Sequence, residues 1–166
     1  MSSETYSDSV TRVLALMERT FGTTFKKYFD DDPGAIPAFD LPCVVVTELN
    51  DVTEGAAFGQ DDVTETIMIK LVFNKRDGYA NDKVEEVVFN QREIREMVGA
   101  RDPVTGRFLD RTVKGAIRQY VTEGVTSVSE AMTTEYGVAP RSNGVTTLEA
   151  HVTFTLRYSV DIVEHE

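Results

Sequence analysis

The sequence predicts an α+β domain: an antiparallel or mixed four-stranded sheet, built from two hairpins, with helices packed on one face. Residues 146–163 are the first reason. Leu148, Ala150, Val152, Phe154, Leu156, Tyr158, Val160 and Ile162 alternate with Thr147, Glu149, His151, Thr153, Thr155, Arg157, Ser159 and Asp161, the period of two that an extended chain produces. The alternation returns at residues 64–73, where Ile67, Ile69, Leu71 and Phe73 share one face and Thr66, Met68, Lys70 and Val72 the other. Helical spacing is the third reason, with Val10, Val13, Leu14, Met17 and Phe21 falling on one stripe.

Each element follows in turn. Ser7 or Ser9 is placed to cap the first helix, and Gly22 to end or bend it. Phe25, Tyr28 and Phe29 form an aromatic cluster, read as a last helical turn packed on the sheet or as a surface contact. Asp30, Asp31, Asp32, Pro33 and Gly34, followed by Pro37 and Pro42, exclude regular helix, because proline lacks the amide donor and restricts its predecessor. The chain then reaches Cys43, Val44, Val45, Val46 and Thr47, a β-branched run that reads as a buried strand. A helix is expected over residues 82–98, with Asp82 as its cap and Gly99 as its stop. A shorter one, capped by Asp110 or Thr112, runs to Val121, with Gly115 as its weak point. Residues 125–138 read as a strand, although Val125, Val128 and Met132 also fit a helix; the turn at Pro140, Arg141, Ser142, Asn143 and Gly144 favours the strand. The whole is one domain, residues 1–166, with long loops at about 30–41, 48–63 and 99–110.

The length of the final strand is unusual. At ~3.3 Å per residue it reaches about 50 Å, whereas strands seldom exceed about ten residues. Such a ribbon bends through its sheet or projects from its domain, and an apolar face that outruns one core needs another surface to cover it. Charge is equally uneven. The net charge is −11, yet ten of the 28 acids lie between Tyr28 and Ile69, where there is no Lys or Arg, so the other 18 nearly balance the 17 bases. Residues 92–118 carry seven bases against four acids. Surfaces of opposite sign can orient association with an identical neighbour, while the overall balance disfavours nucleic acid as a ligand of the monomer surface.

A search for catalytic or ligand motifs returns little. Gly55 and Gly59 lack the lysine of a phosphate loop and sit among acids. Asp30, Asp31 and Asp32, like Asp61, Asp62 and Glu65, lack the alternation of a calcium loop. Cys43 is alone in an apolar run and reads as a core side chain. His151 shares a polar face with Glu149 and Thr153, which suits cross-strand hydrogen bonding better than acid-base catalysis, and His165 lies in the tail. No catalytic, cofactor-binding or metal residue is therefore assigned, and an enzyme is not expected. The polar, acidic residues 1–8 lack the form of a secretion signal, and no apolar run reaches the ~20 residues needed to cross a bilayer, so the expected environment is a reducing cytoplasm.

A helix at residues 10–21, the proline-flanked strand at 41–47, an acidic loop, the strand at 64–73 ending in Asn74, Lys75, Arg76 and Asp77, a second helix, and a final antiparallel pair ending in Phe154, Thr155, Leu156, Arg157 and Tyr158 resemble, over most of the chain, the tail terminator proteins of long-tailed bacteriophages. The resemblance implies a structural virion protein of the tail or neck, assembled in the host cytoplasm. Such a protein forms a hexameric ring that caps the tail tube and joins it to the head connector while DNA passes. It implies as partners other copies of the chain, the tail-tube and head-connector proteins, and DNA in transit, without membrane or cofactor. Under it, Asp51, Glu54, Asp61 and Asp62 become candidate channel-facing acids that repel phosphate. Arg92, Arg95, Arg101, Arg107 and Arg111 become candidate bases facing a neighbouring subunit or the adjoining ring. Another head-tail connector, neck or tail-tube subunit shares this logic, and a small-ligand-binding α+β domain is the alternative from a different class.

Overall fold

Asp8 starts helix α1 (Ser9–Phe21), because its carboxylate accepts the Thr11 N–H at 2.7 Å and so satisfies one of the unpaired amides of the first turn. Ser9, expected as a possible cap, is instead buried and donates to Glu65 at 3.1 Å. The computed structural model describes residues 8–75, 90–120, 127–128 and 131–162, so the alternative cap Ser7 lies outside the described residues. After Gly22 the aromatic cluster is neither a helical turn nor a surface contact alone. Phe25 is buried, its ring centroid 5.2 Å from that of Phe21 and 5.7 Å from that of Phe73, and strand β1 (Lys27–Phe29) pairs parallel with β2 (Cys43–Gly55).

The sheet is mixed and larger than four strands. Strand β3 (Gln60–Asn74) runs antiparallel to β2 on one side and to β6 (Thr146–Asp161) on the other. The order is β1-β2-β3-β6-β4, with β4 (Ser127–Val128) and β5 (Thr133–Pro140) pairing with successive parts of the outer side of β6. The two expected hairpins, β2-β3 and β5-β6, are present. The single strand expected over 125–138 is two pieces among the described residues.

The expected loop over residues 48–63 is the main correction. Both strands continue through it, in register to Gly55 opposite Asp61, and residues 56–59 alone make the turn. Main-chain pairing, of β2 with β3 and of β3 with β6, holds an extended chain without apolar side chains; the acids and glycines that read as loop are the solvated end of a ribbon. Residues 30–41 and 100–110 are irregular, apart from a 3₁₀ turn at Ala38–Asp40 and a bridge between Arg101 and Phe108.

Helix α2 (Gln91–Gly99) begins at Asn90, whose side chain accepts the Glu93 N–H at 2.9 Å. The earlier part of the expected helix, including Asp82, lies outside the described residues. Helix α3 (Val113–Tyr120) begins after Thr112, whose Oγ1 accepts the Gly115 N–H at 3.0 Å. The apolar stripes of all three helices, Val13 and Met17 of α1, Ile94 and Val98 of α2, and Ile117 of α3 among them, pack on the same sheet face as Val44, Val46, Ile67, Ile69, Leu71, Val152 and Phe154. Burying each such side chain stabilises by roughly 1.5–3 kcal/mol. On the opposite face residues 30–42 fold over the sheet, where Ile36 and Leu41 cover Cys43, Val45 and Val72. No helix among the described residues is long and apolar enough to cross a membrane.

Gly115 is a close-approach glycine rather than a weak point. A Cβ there would stand 2.0 Å from the Leu109 carbonyl oxygen and 2.9 Å from Thr112 Oγ1. Alanine is the better helix former by about 1 kcal/mol, but a backbone carbonyl cannot yield cheaply in a packed core. Gly115→Ala is therefore expected to destabilise the fold by at least about 1–3 kcal/mol in urea denaturation; a neutral or stabilising result would contradict this packing.

Candidate functional site

Three features stand out once the sheet is built. The first is the ribbon. From Glu48 to Gly55 every residue of β2 is exposed, a length of roughly 23 Å at ~3.3 Å per residue, and the paired parts of β3 and β6 project with it. A bulge decides what each face carries. Glu48 pairs with Ile67 but Asn50 pairs with Thr66, so Leu49 is the extra residue and the parity of β2 reverses beyond it. Registered partners share a face. On the side continuous with the helices lie Asp51, Thr53, Asp61, Val63, Tyr158 and Val160. On the other side lie Val52, Glu54, Asp62, Thr64, Arg157, Ser159 and Asp161. The four candidate acids are thus brought to one end of the molecule but divided two and two between opposite faces.

The polar face of the ribbon is knitted by side chains. Ser159 donates to Asp62 at 2.8 Å, and Gln60 Nε2 donates to Asp161 at 3.2 Å. The helix-side face is more apolar, and at its base Glu65 is buried, accepting hydrogen bonds from Ser9 and Tyr158. Phe58 at the tip is fully exposed, and Val160 and Ile162 are nearly half-exposed.

The second feature is a basic region at the α2–α3 connection. Arg92, Arg95, Arg101, Arg107 and Arg111 are all exposed. Arg92 pairs with Glu96 at 3.5 Å, and Arg101 Nε donates to the Gly106 carbonyl at 2.7 Å. Arg95, Arg107 and Arg111 make no salt bridge among the described residues. Asp102 is occupied in the loop itself, its carboxylate accepting the Val104 and Thr105 N–H groups at 2.7 and 3.0 Å, which also lowers its pKa. Val104 and Phe108 are exposed beside these bases, with Lys114 Nζ 5.5 Å from the Phe108 ring centroid.

The third feature is an ion network absent from the sequence expectations, although it includes His151 and Glu149. His151 Nε2 lies 2.8 Å from Glu149 Oε1. Glu149 Oε2 accepts from Arg141 Nη2 at 2.6 Å and from the Thr147 hydroxyl. Arg141 Nη1 continues to Asp32 at 2.6 and 2.8 Å, and Lys70 Nζ donates to Asp32 at 2.9 Å. Asp32 also receives the Gly34 N–H at 2.8 Å. Arg141 and Glu149 are 8% and 3% exposed, so the pair is buried. Asp32 stands 38 residues from Lys70 and 109 from Arg141 in the chain, separations that no local spacing reveals.

Burial alone would raise the Glu149 carboxyl, but hydrogen bonds from His151, Thr147 and Arg141 outweigh it and hold the group down from 4.5 to about 2. Burial likewise opposes ionisation of Asp32, and the Arg141 and Lys70 contacts overcome it. A carboxylate so stabilised, with its oxygens engaged by cations, makes a poor general base; the network's chemistry is to clamp residues 30–42 to β3 and β6. Thr153 shares the His151 face but enters none of these bonds. Cys43 is buried, which pushes its thiol up to about 12, far from a reactive thiolate. Among the described residues no three His, Cys, Asp or Glu side chains are grouped to hold a metal ion.

A scan against protein-family models and a search of curated proteins find no match to this chain.

Because the folded carboxyls titrate below their unfolded values, the network contributes stability that is present above about pH 4.5 and lost as the pH falls toward about 2. Arg141→Met leaves two carboxylates without their shared cation and is expected to cost about 3–5 kcal/mol at pH 7. The cost should shrink near pH 3, where the stranded acids take up protons. Urea denaturation at both pH values measures it, and a penalty independent of pH would contradict the ionic account.

Proposed function

We propose that the chain is a structural subunit of a bacteriophage tail, acting as a tail terminator does: copies form a ring, with six the expected number, that caps the tail tube and joins it to the head connector. The observation that carries this reading is the three-stranded ribbon. A sheet whose β2 edge stays exposed for roughly 23 Å, with aromatic and aliphatic side chains exposed at its end, costs solubility in an isolated protein and gains a purpose in an assembly. The element order that resembles tail terminators supports the same reading, as does the separation of acidic and basic surfaces, since unlike patches on identical copies close into rings when the rotation permits.

DNA enters this reading as cargo. The polar ribbon face, with Glu54, Asp62 and Asp161 against the single base Arg157, suits a surface past which phosphates slide, because its net charge repels them and it offers few apolar side chains for bases to stack on. The buried clamp gives the subunit a rigid sheet rather than a reaction centre, and the proposed role is not enzymatic. The proposed location is the virion neck, following assembly in the host cytoplasm.

Purified protein added to tail tubes from particles lacking their terminator should decorate one end of each tube, as seen by negative stain, and should halt further tube growth. Binding along the tube wall would favour a neighbouring tube or connector subunit. A chain that ignores tubes altogether would contradict the proposal.

A further inference from the structure

We infer that the helix-side face of the ribbon docks on the basic α2–α3 connection of a second copy of the chain, an interface that rests on the ring reading and assigns its two halves. The two surfaces match in chemistry. The ribbon face offers Asp51 and Asp61 beside Val160, Ile162 and the fully exposed Phe58. The connection offers Arg107 and Arg111 beside Val104 and Phe108. Each half thus combines exposed charge of one sign with exposed apolar area, the composition of an interface core with a charged surround.

Among the described residues no salt bridge joins Asp51 or Asp61 to Arg107 or Arg111 of the same chain. Asp61 makes no salt bridge among the described residues, nor do Arg107 and Arg111. A contact between unlike patches of identical copies is heterologous, the type that builds rings.

The bulge at Leu49 sets the choice of face. Without it Val52 and Glu54 would turn to the helix side, and Asp51 and Thr53 away. With it, the opposite face carries Glu54, Asp62 and Asp161, and Ser159 and Gln60 already tie that face together by donating to Asp62 and Asp161. The four acids therefore have two destinies: Asp51 and Asp61 meet the neighbour, while Glu54 and Asp62 stay in solvent or face the channel.

Charge reversal tests this directly. In sedimentation velocity at low salt, the Asp51→Lys, Asp61→Lys pair and the Arg107→Glu, Arg111→Glu pair should each raise the concentration for half-assembly at least about tenfold. A chain carrying all four substitutions should recover most of that loss. Glu54→Lys with Asp62→Lys should leave it nearly unchanged, and thermal melts confirm that each variant folds. As an independent readout, Phe58→Cys and Val104→Cys proteins mixed under oxidising conditions should form a disulfide between the two species in preference to either alone; Cys43 is buried and does not compete. Assembly indifferent to both reversed pairs would overturn the interface while leaving the ring reading intact. A wild-type chain that stays monomeric in solution and on tube ends would overturn the interface. Association through this surface without any tube capping would sink the tail reading alone.

Discussion

The antiparallel register between β3 and β6 is the constraint from which the rest of the molecule follows. It runs unbroken from Gln60 opposite Asp161 to Asn74 opposite Thr147. At the Asn74 end this pairing aligns Ile69 and Leu71 with Val152 and Ala150, and so makes the apolar floor on which three helices pack. At the Gln60 end the same ladder continues past the three helices of the described residues. One uninterrupted pairing thus produces both a core and a projection. The β2 bulge then decides which acids lie on which side of a ribbon whose backbone it scarcely interrupts.

Much of this was legible in the residues. The apolar alternation in β3 and β6, the stripe of α1 and the turn before β6 identified a sheet of hairpins with helices on one face. What escaped was the part of the structure that main-chain hydrogen bonds hold alone. Residues 48–63 have few apolar side chains to mark an alternation, and their acids and glycines resemble loop composition, yet β2 and β3 pair through them. β1 escaped because three residues are too short to show a period, and its aromatic neighbours fit other elements equally well.

The ion network was legible only in part, since His151 and Glu149 lie two residues apart on one strand, while Asp32, Lys70 and Arg141 reach them through the tertiary fold. Its role follows from energetics. Buried ions seldom gain more than they lose in desolvation unless each is fully hydrogen-bonded, and here Asp32, Arg141 and Glu149 are bonded on several sides. The clamp fixes the proline-rich segment over Cys43, Val45 and Val72, opposite the helices. Both sheet faces are then covered near the core, which leaves the ribbon and the exposed outer strand β5 as parts of the sheet available to a partner.

The proposed role is that of an assembly subunit at the end of a phage tail. Cryo-electron microscopy of an intact particle carrying the chain tests it most directly. That role predicts a single ring of copies between the tail tube and the head connector, with each ribbon lying against its neighbour. Finding the chain outside the particle, or as isolated copies with bare ribbons, would contradict it.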